Sequence, residues 1–161
     1  MIEDGLVVHE LDLAAPPHVV YEMFVDPHQL IRWIGLAADL EPRPGGRFRF
    51  EVMPGQFCEG EYVELDPPRR LVVTWGWTDP TLRVPPGSSR VEVELSKRGE
   101  GTRLRLVHSH LPGDLRLLHD DGWSRFLDRL EAVIVGRDPQ PYPDAQASER
   151  MAELRRGGDG G

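Results

Sequence analysis

The segment from Arg43 to Trp77 constrains the fold more than any other part of this chain, because turns and period-2 strands follow one another there with almost no spacing. Pro44-Gly45-Gly46 makes a turn, and Arg47 to Val52 alternates charged with apolar side chains, the pattern of a strand with one buried face. Pro54-Gly55 turns the chain again, and Glu59 to Leu65 reads as a second strand. Asp66-Pro67-Pro68 is the next turn, after which Leu71, Val73, Trp75 and Trp77 supply alternate residues of a third strand. Strands this close in sequence join as an antiparallel meander.

The same alternation continues at Val91, Val93 and Leu95 and at Leu104 and Leu106, with Arg98-Gly99-Glu100-Gly101 as the hairpin turn between them. Val7, His9, Leu11 and Leu13 place a first strand over residues 6–13. Residues 14–24 and 27–34 are expected to form two short helices, split at Asp26-Pro27, each with a proline in its first turn. From Asp114 to Gly136, apolar residues recur at spacings of three and four through Leu115, Leu118, Trp123, Phe126, Leu127, Leu130, Val133 and Ile134. This is a long amphipathic helix closed by Gly136 and Pro139. The order is therefore strand, two short helices, five or six antiparallel strands, long helix. A sheet with one apolar face needs a cover, and only the last helix is long enough to provide it.

Four segments in this order carry a family resemblance: Pro27 to Trp33, Arg43 to Phe48, Gly60 to Leu71, and Gly122 to Leu127. Together they resemble the START-like (SRPBCC) superfamily, and within it the branch named after the activator of the heat-shock protein 90 ATPase. The similarity spans roughly residues 5–137. It implies an α+β helix-grip fold, in which a curved antiparallel sheet wraps the C-terminal helix and often leaves an apolar cavity. Functions within this superfamily are mixed, so the resemblance implies architecture rather than activity.

A chain of 161 residues suffices for one domain with one core, expected over residues 1–137. Residues 138–161 are expected to be a proline-spaced linker and a flexible or weakly helical tail, in which Ala147, Met151 and Leu154 form one apolar stripe. The formal charge of -8, with arginines interspersed among carboxylates, argues against nucleic-acid or anionic-membrane surfaces. Cys58 is the single cysteine and has no internal disulfide partner. The first residues carry neither a basic region nor an apolar run, so the expected location is the cytoplasm.

Chemistry-bearing candidates are sparse. His108-Ser109-His110 sets two imidazoles at i and i+2, on one side of a strand, with His119 nearby; two such ligands do not make a metal site, so neither a metal nor a cofactor is expected. No phosphate loop or nucleophile elbow is present, and Cys58 reads as a small buried hydrophobe. What the resemblance leaves is a ligand cavity, which Trp33, Phe48, Phe50, Tyr62, Val73, Trp75, Trp77, His108, Trp123 and Phe126 would line. Trp33 and Trp77, at element ends, are expected at its mouth. The competing expectation is that these aromatics simply fill the core.

Three function classes follow. The first is a binding protein for a hydrophobic or aromatic small molecule. The second is an enzyme of the polyketide cyclase or dehydratase kind, with His108, Tyr62 or His9 as acid/base. The third, implied by the family name, is a protein-interaction role toward a chaperone; it ranks last because the eukaryotic proteins use a further N-terminal domain. A homodimer is a further partner expectation.

Overall fold

Residues 1–139 are described by the computed structural model. Among them, eight strands form one antiparallel sheet in the order β1-β2-β8-β7-β6-β5-β4-β3. The strands are β1 Ile2–Glu3, β2 Leu6–Leu13, β3 Ala37–Leu40, β4 Arg47–Met53, β5 Gln56–Asp66, β6 Arg70–Trp75, β7 Ser89–Arg98 and β8 Gly101–Ser109. Helices α1 Pro17–Val25 and α2 Pro27–Leu30 follow β2, and α3 Arg116–Ile134 follows β8. This is the curved sheet and long C-terminal helix expected from the sequence.

Period-2 burial holds along β4, β7 and β8: Phe48, Phe50 and Val52 of β4 are buried while the residues between them are not. The register places Leu71 opposite Val93, Val93 opposite Leu106, and Leu106 opposite His9. One apolar row therefore crosses the sheet. Its other face is laced by ion pairs, such as Arg103 with Asp12 and Arg70 with Glu94. Register shifts between Glu51 and Met53 and between Tyr62 and Glu64 are bulges, which bend and twist a sheet so that it can curl around a helix.

Both short helices begin with proline, whose missing N–H costs nothing at a helix start. The second is shorter than the expected 27–34. Asp26 caps it by accepting from His28 N at 2.8 Å, but the backbone tightens after Leu30 into turns that end at Gly35, whose φ of +84° closes the segment. Helix α3 is preceded by a 3-10 turn, Gly113–Leu115. It ends where Gly136, at φ +76°, donates to Val133 O and Arg137 donates to Ala132 O. Trp123, Leu127, Leu130 and Val133 form its buried stripe, which Leu115 of the preceding turn extends; Leu118, Phe126 and Ile134 are only half-buried, at its margins.

Two strands were not legible in the sequence. The two-residue β1 pairs with β2, and Ala37–Leu40 pairs with β4 as the sheet's far edge. The third strand of the meander also stops earlier than expected, at Trp75. Gly76 packs so closely on the Pro85-Pro86 loop that an added Cβ would lie 1.9 Å from Pro85 O, and Trp77 rejoins β5 only through an isolated bridge to Cys58. Of the proline-spaced segment expected over 138–161, residues 140–161 lie outside the described residues, and with them the Ala147, Met151 and Leu154 stripe.

Candidate functional site

An aromatic cluster forms where the ends of β4, β6, β7 and β8 meet α3. Trp75 lies at its centre, with ring centroids 5.4 Å from Phe50, 6.1 Å from Phe48, 5.4 Å from Trp77, 5.5 Å from His108 and 5.0 Å from Trp123. Several of these contacts are edge-to-face or tilted, geometries that the ring quadrupole favours. His108 and His119 meet edge-to-face at 5.2 Å beside it.

Two tryptophan–histidine pairs stitch the sheet to the helix. Trp123 Nε1–H donates to His108 Nδ1 at 3.0 Å, so the His108 proton resides on Nε2, 2.8 Å from Ser89 Oγ. Ser89 in turn donates to the Trp75 carbonyl at 2.8 Å. The second pair runs from Trp77 Nε1–H to His119 Nε2 at 2.9 Å, and His119 Nδ1–H donates to Leu115 O at 2.8 Å. Each imidazole thus has both nitrogens engaged in its neutral form. Burial, with the neighbouring His119, holds His108 well below the ordinary histidine range; burial also lowers His119, against the opposing effect of the Leu115 carbonyl.

The other candidates are arranged differently. Tyr62 donates to Phe24 O at 3.0 Å, and burial pushes its phenol up, so it stays a neutral hydroxyl. His9 is half-buried, with Nε2 2.9 Å from Asp120 Oδ1 on α3. Burial and the nearby terminal ammonium lower it, while Asp120 pulls the other way. Val73 is buried on β6 two residues before Trp75, on the same face of the strand. Phe126 is half-buried on α3. Cys58 is fully buried, and burial raises its thiol well above the usual range.

Two placements correct the sequence expectations. Trp33 is not at a mouth: it is 1 % exposed, packs edge-to-face on Phe24 at 5.0 Å and donates to Met23 O at 2.9 Å. The turn after α2 folds it inward under Arg129, whose Nε donates to the Trp33 carbonyl. His108 and His110 do not share a side of a strand. Strand β8 ends at Ser109, and His110 takes a left-handed φ of +63° that carries it to the surface, while His108 points inward. Trp77, by contrast, is only partly buried, as an element-end residue should be.

Sequence reasoning missed Ser89 and Tyr21. Ser89 is 2 % exposed and pairs across the ladder with Trp75, a relation that exists only in the register. Tyr21 on α1 is buried with no partner for its hydroxyl among the described residues, and burial together with Asp66 pushes it up to about 12.

Comparison with known proteins places this geometry in context. The family described as Activator of Hsp90 ATPase homolog 1-like protein matches residues 14–134. The AHSA1-like protein RHE_CH02687 from Rhizobium etli is 43 % identical over 86 % of this chain and 86 % of its own, with a TM-score of 0.68. CalU16 from Micromonospora echinospora is 27 % identical, over 96 % of this chain and 84 % of its own, with a TM-score of 0.68. DynU16, a protein of the dynemicin biosynthetic locus, is 26 % identical with a TM-score of 0.71; it aligns to 84 % of this chain, which spans only 49 % of its length. No curated protein matches. Among the described residues, no helix is long and apolar enough to cross a membrane.

Proposed function

Because the chain belongs to the family described as Activator of Hsp90 ATPase homolog 1-like protein, with the curved sheet and long helix of the START-like superfamily, we propose that it is a binding protein for an apolar or aromatic small molecule. The observation that carries this reading is the cluster around Trp75, where five aromatic rings and His108 converge between sheet and helix. Such a buried cluster suits a planar apolar body and offers few polar groups to orient it. Binding is favoured over catalysis because the two buried imidazoles are tied at both nitrogens in their neutral form, which leaves neither free to take or deliver a proton.

The test is native mass spectrometry of the freshly purified chain, followed by a thermal-shift screen of aromatic and lipid compounds. A retained adduct, or a ligand-dependent rise in Tm that Val73→Trp abolishes, supports the reading, since a ligand of the folded state stabilises it by mass action. A clean spectrum with no shift across the screen overturns it.

A second reading, a cyclase-like or dehydratase-like enzyme, draws on the kinship with DynU16, a protein of a biosynthetic locus, and on the His9–Asp120 pair at 2.9 Å. A carboxylate that orients an imidazole is a common acid/base arrangement. His9 replaces His108 as the preferred proton carrier in that reading. Loss of turnover in His9→Gln, with the fold intact, separates the enzyme from the carrier.

A further inference from the structure

The chain has four tryptophans, and in the folded protein three of their indole N–H groups donate to protein acceptors. Trp33 reaches Met23 O at 2.9 Å, Trp77 reaches His119 Nε2 at 2.9 Å, and Trp123 reaches His108 Nδ1 at 3.0 Å. The fourth, Trp75, is only 2 % exposed, and its Nε1–H has no partner among the described residues. It is the residue on which the aromatic cluster is centred.

A buried donor without an acceptor costs free energy, and a native protein tolerates one for a reason. Aromatic rings surround Trp75, Trp77 perpendicular to it at 5.4 Å among them, and a ring is a weaker acceptor than a carbonyl oxygen. The cost vanishes when an acceptor arrives. The acceptors the cluster itself offers are already engaged: His108 and His119 accept from tryptophans, and the Trp75 carbonyl accepts from Ser89. The polar character left over is therefore that of a donor. Among the described residues no cation sits in the cluster, since both imidazoles are neutral, so an anion would be buried without a counter-charge.

We propose that the ligand of this site carries a neutral carbonyl oxygen on a planar aromatic frame, and that Trp75 Nε1–H is the group that recognises it. The inference rests on the small-molecule-binding reading above and deepens it from an apolar or aromatic compound to an aromatic ketone or quinone. A plain hydrocarbon of the same shape leaves the indole unpaired, and a ligand whose only polar group is a donor finds the acceptors taken.

The experiment compares 9-fluorenone with fluorene, which differ by one carbonyl on the same tricyclic frame, using the full 15N-labelled chain. Trp75→Phe identifies the Trp75 indole resonance by its disappearance. In the unliganded protein that resonance is expected upfield of the three hydrogen-bonded indoles. Fluorenone should move it downfield and bind about threefold to tenfold more tightly than fluorene, the worth of one net hydrogen bond. In Trp75→Phe the advantage should disappear, a comparison that cancels the unequal solubilities of the two probes. If that variant does not fold, Trp33→Phe, Trp77→Phe and Trp123→Phe assign the other three indoles, and the downfield shift of the remaining resonance in the wild-type chain decides the matter. Fluorenone and fluorene binding equally, with the Trp75 indole unmoved by the ketone, overturns the carbonyl inference and leaves the binding reading standing. Neither probe binding overturns both.

Discussion

Trp123 Nε1–H donates to His108 Nδ1 over 3.0 Å, and that one bond fixes the imidazole proton on Nε2, where Ser89 receives it. A helix residue thereby decides the tautomer of a strand residue, and a histidine that the sequence offered beside Tyr62 and His9 as an acid/base candidate is held at both ring nitrogens.

Removing the donor should show what the bond is worth. Trp123→Phe keeps an aromatic ring in the cluster but leaves His108 Nδ1 buried without a partner, a loss of about 1–3 kcal/mol. Urea unfolding measures the loss. The 15N shifts of His108 should report the Nε2–H form in the wild type; an Nδ1–H form would sink the assignment.

Acid should destabilise the fold before carboxylates begin to titrate. Burial lowers His108 and His119 from the ordinary 6.5, so the unfolded chain binds protons that the folded one refuses. Their contribution is fully present above about pH 6.5 and declines as pH falls below it, by at most about 1.4 kcal/mol per pH unit for each imidazole. Chemical denaturation between pH 7.5 and 5 measures the slope. His119→Gln should flatten it; an unchanged slope would assign the acid sensitivity elsewhere.

Two glycine-to-alanine changes should have opposite signs. Gly122 lies within α3, and a Cβ there meets no atom within 4 Å, so Gly122→Ala should stabilise by about 0.5–1 kcal/mol through helix propensity. At Gly76 the added carbon would lie 1.9 Å from Pro85 O and 2.5 Å from Pro86 Cα. Gly76→Ala should therefore destabilise by more than about 2 kcal/mol and shift the Trp77 indole resonance, because the strand end that carries Trp77 has to move.

Trp33→Phe should cost stability without touching the cluster. The indole is buried against Phe24 and donates to Met23 O, so the loss should be about 2 kcal/mol. The indole resonances of Trp75, Trp77 and Trp123 should stay in place. A change in all three would mean that the α2 turn and the cluster form one cooperative unit.

The strands of the Arg43–Trp77 meander, the β7–β8 hairpin and helix α3 were legible because their signal is local. Alternation along Arg47 to Val52 needs only neighbours two residues apart, and the α3 stripe needs neighbours three or four apart. Ala37–Leu40 carries no such alternation; it is a strand because β4 offers it an edge. Trp33 was expected at a cavity mouth because it lies near the end of the expected helix 27–34, and the turn that buries it is secured by Arg129, 96 residues away.

By itself the sequence determined the order of elements, the apolar face of each, the turns between them and hence the family architecture, all properties of short-range periodicity and turn chemistry. Tertiary structure alone decided which tryptophans are satisfied and which proton each histidine carries. Those outcomes depend on pairings such as Trp123 with His108, 15 residues apart, and Trp77 with His119, 42 residues apart. Hydrogen-bond satisfaction is settled only when distant elements meet in a water-poor interior, where each buried donor must find an acceptor or go without. Among the described residues the Trp75 indole finds no acceptor, and no local pattern in the chain distinguishes it from the other three.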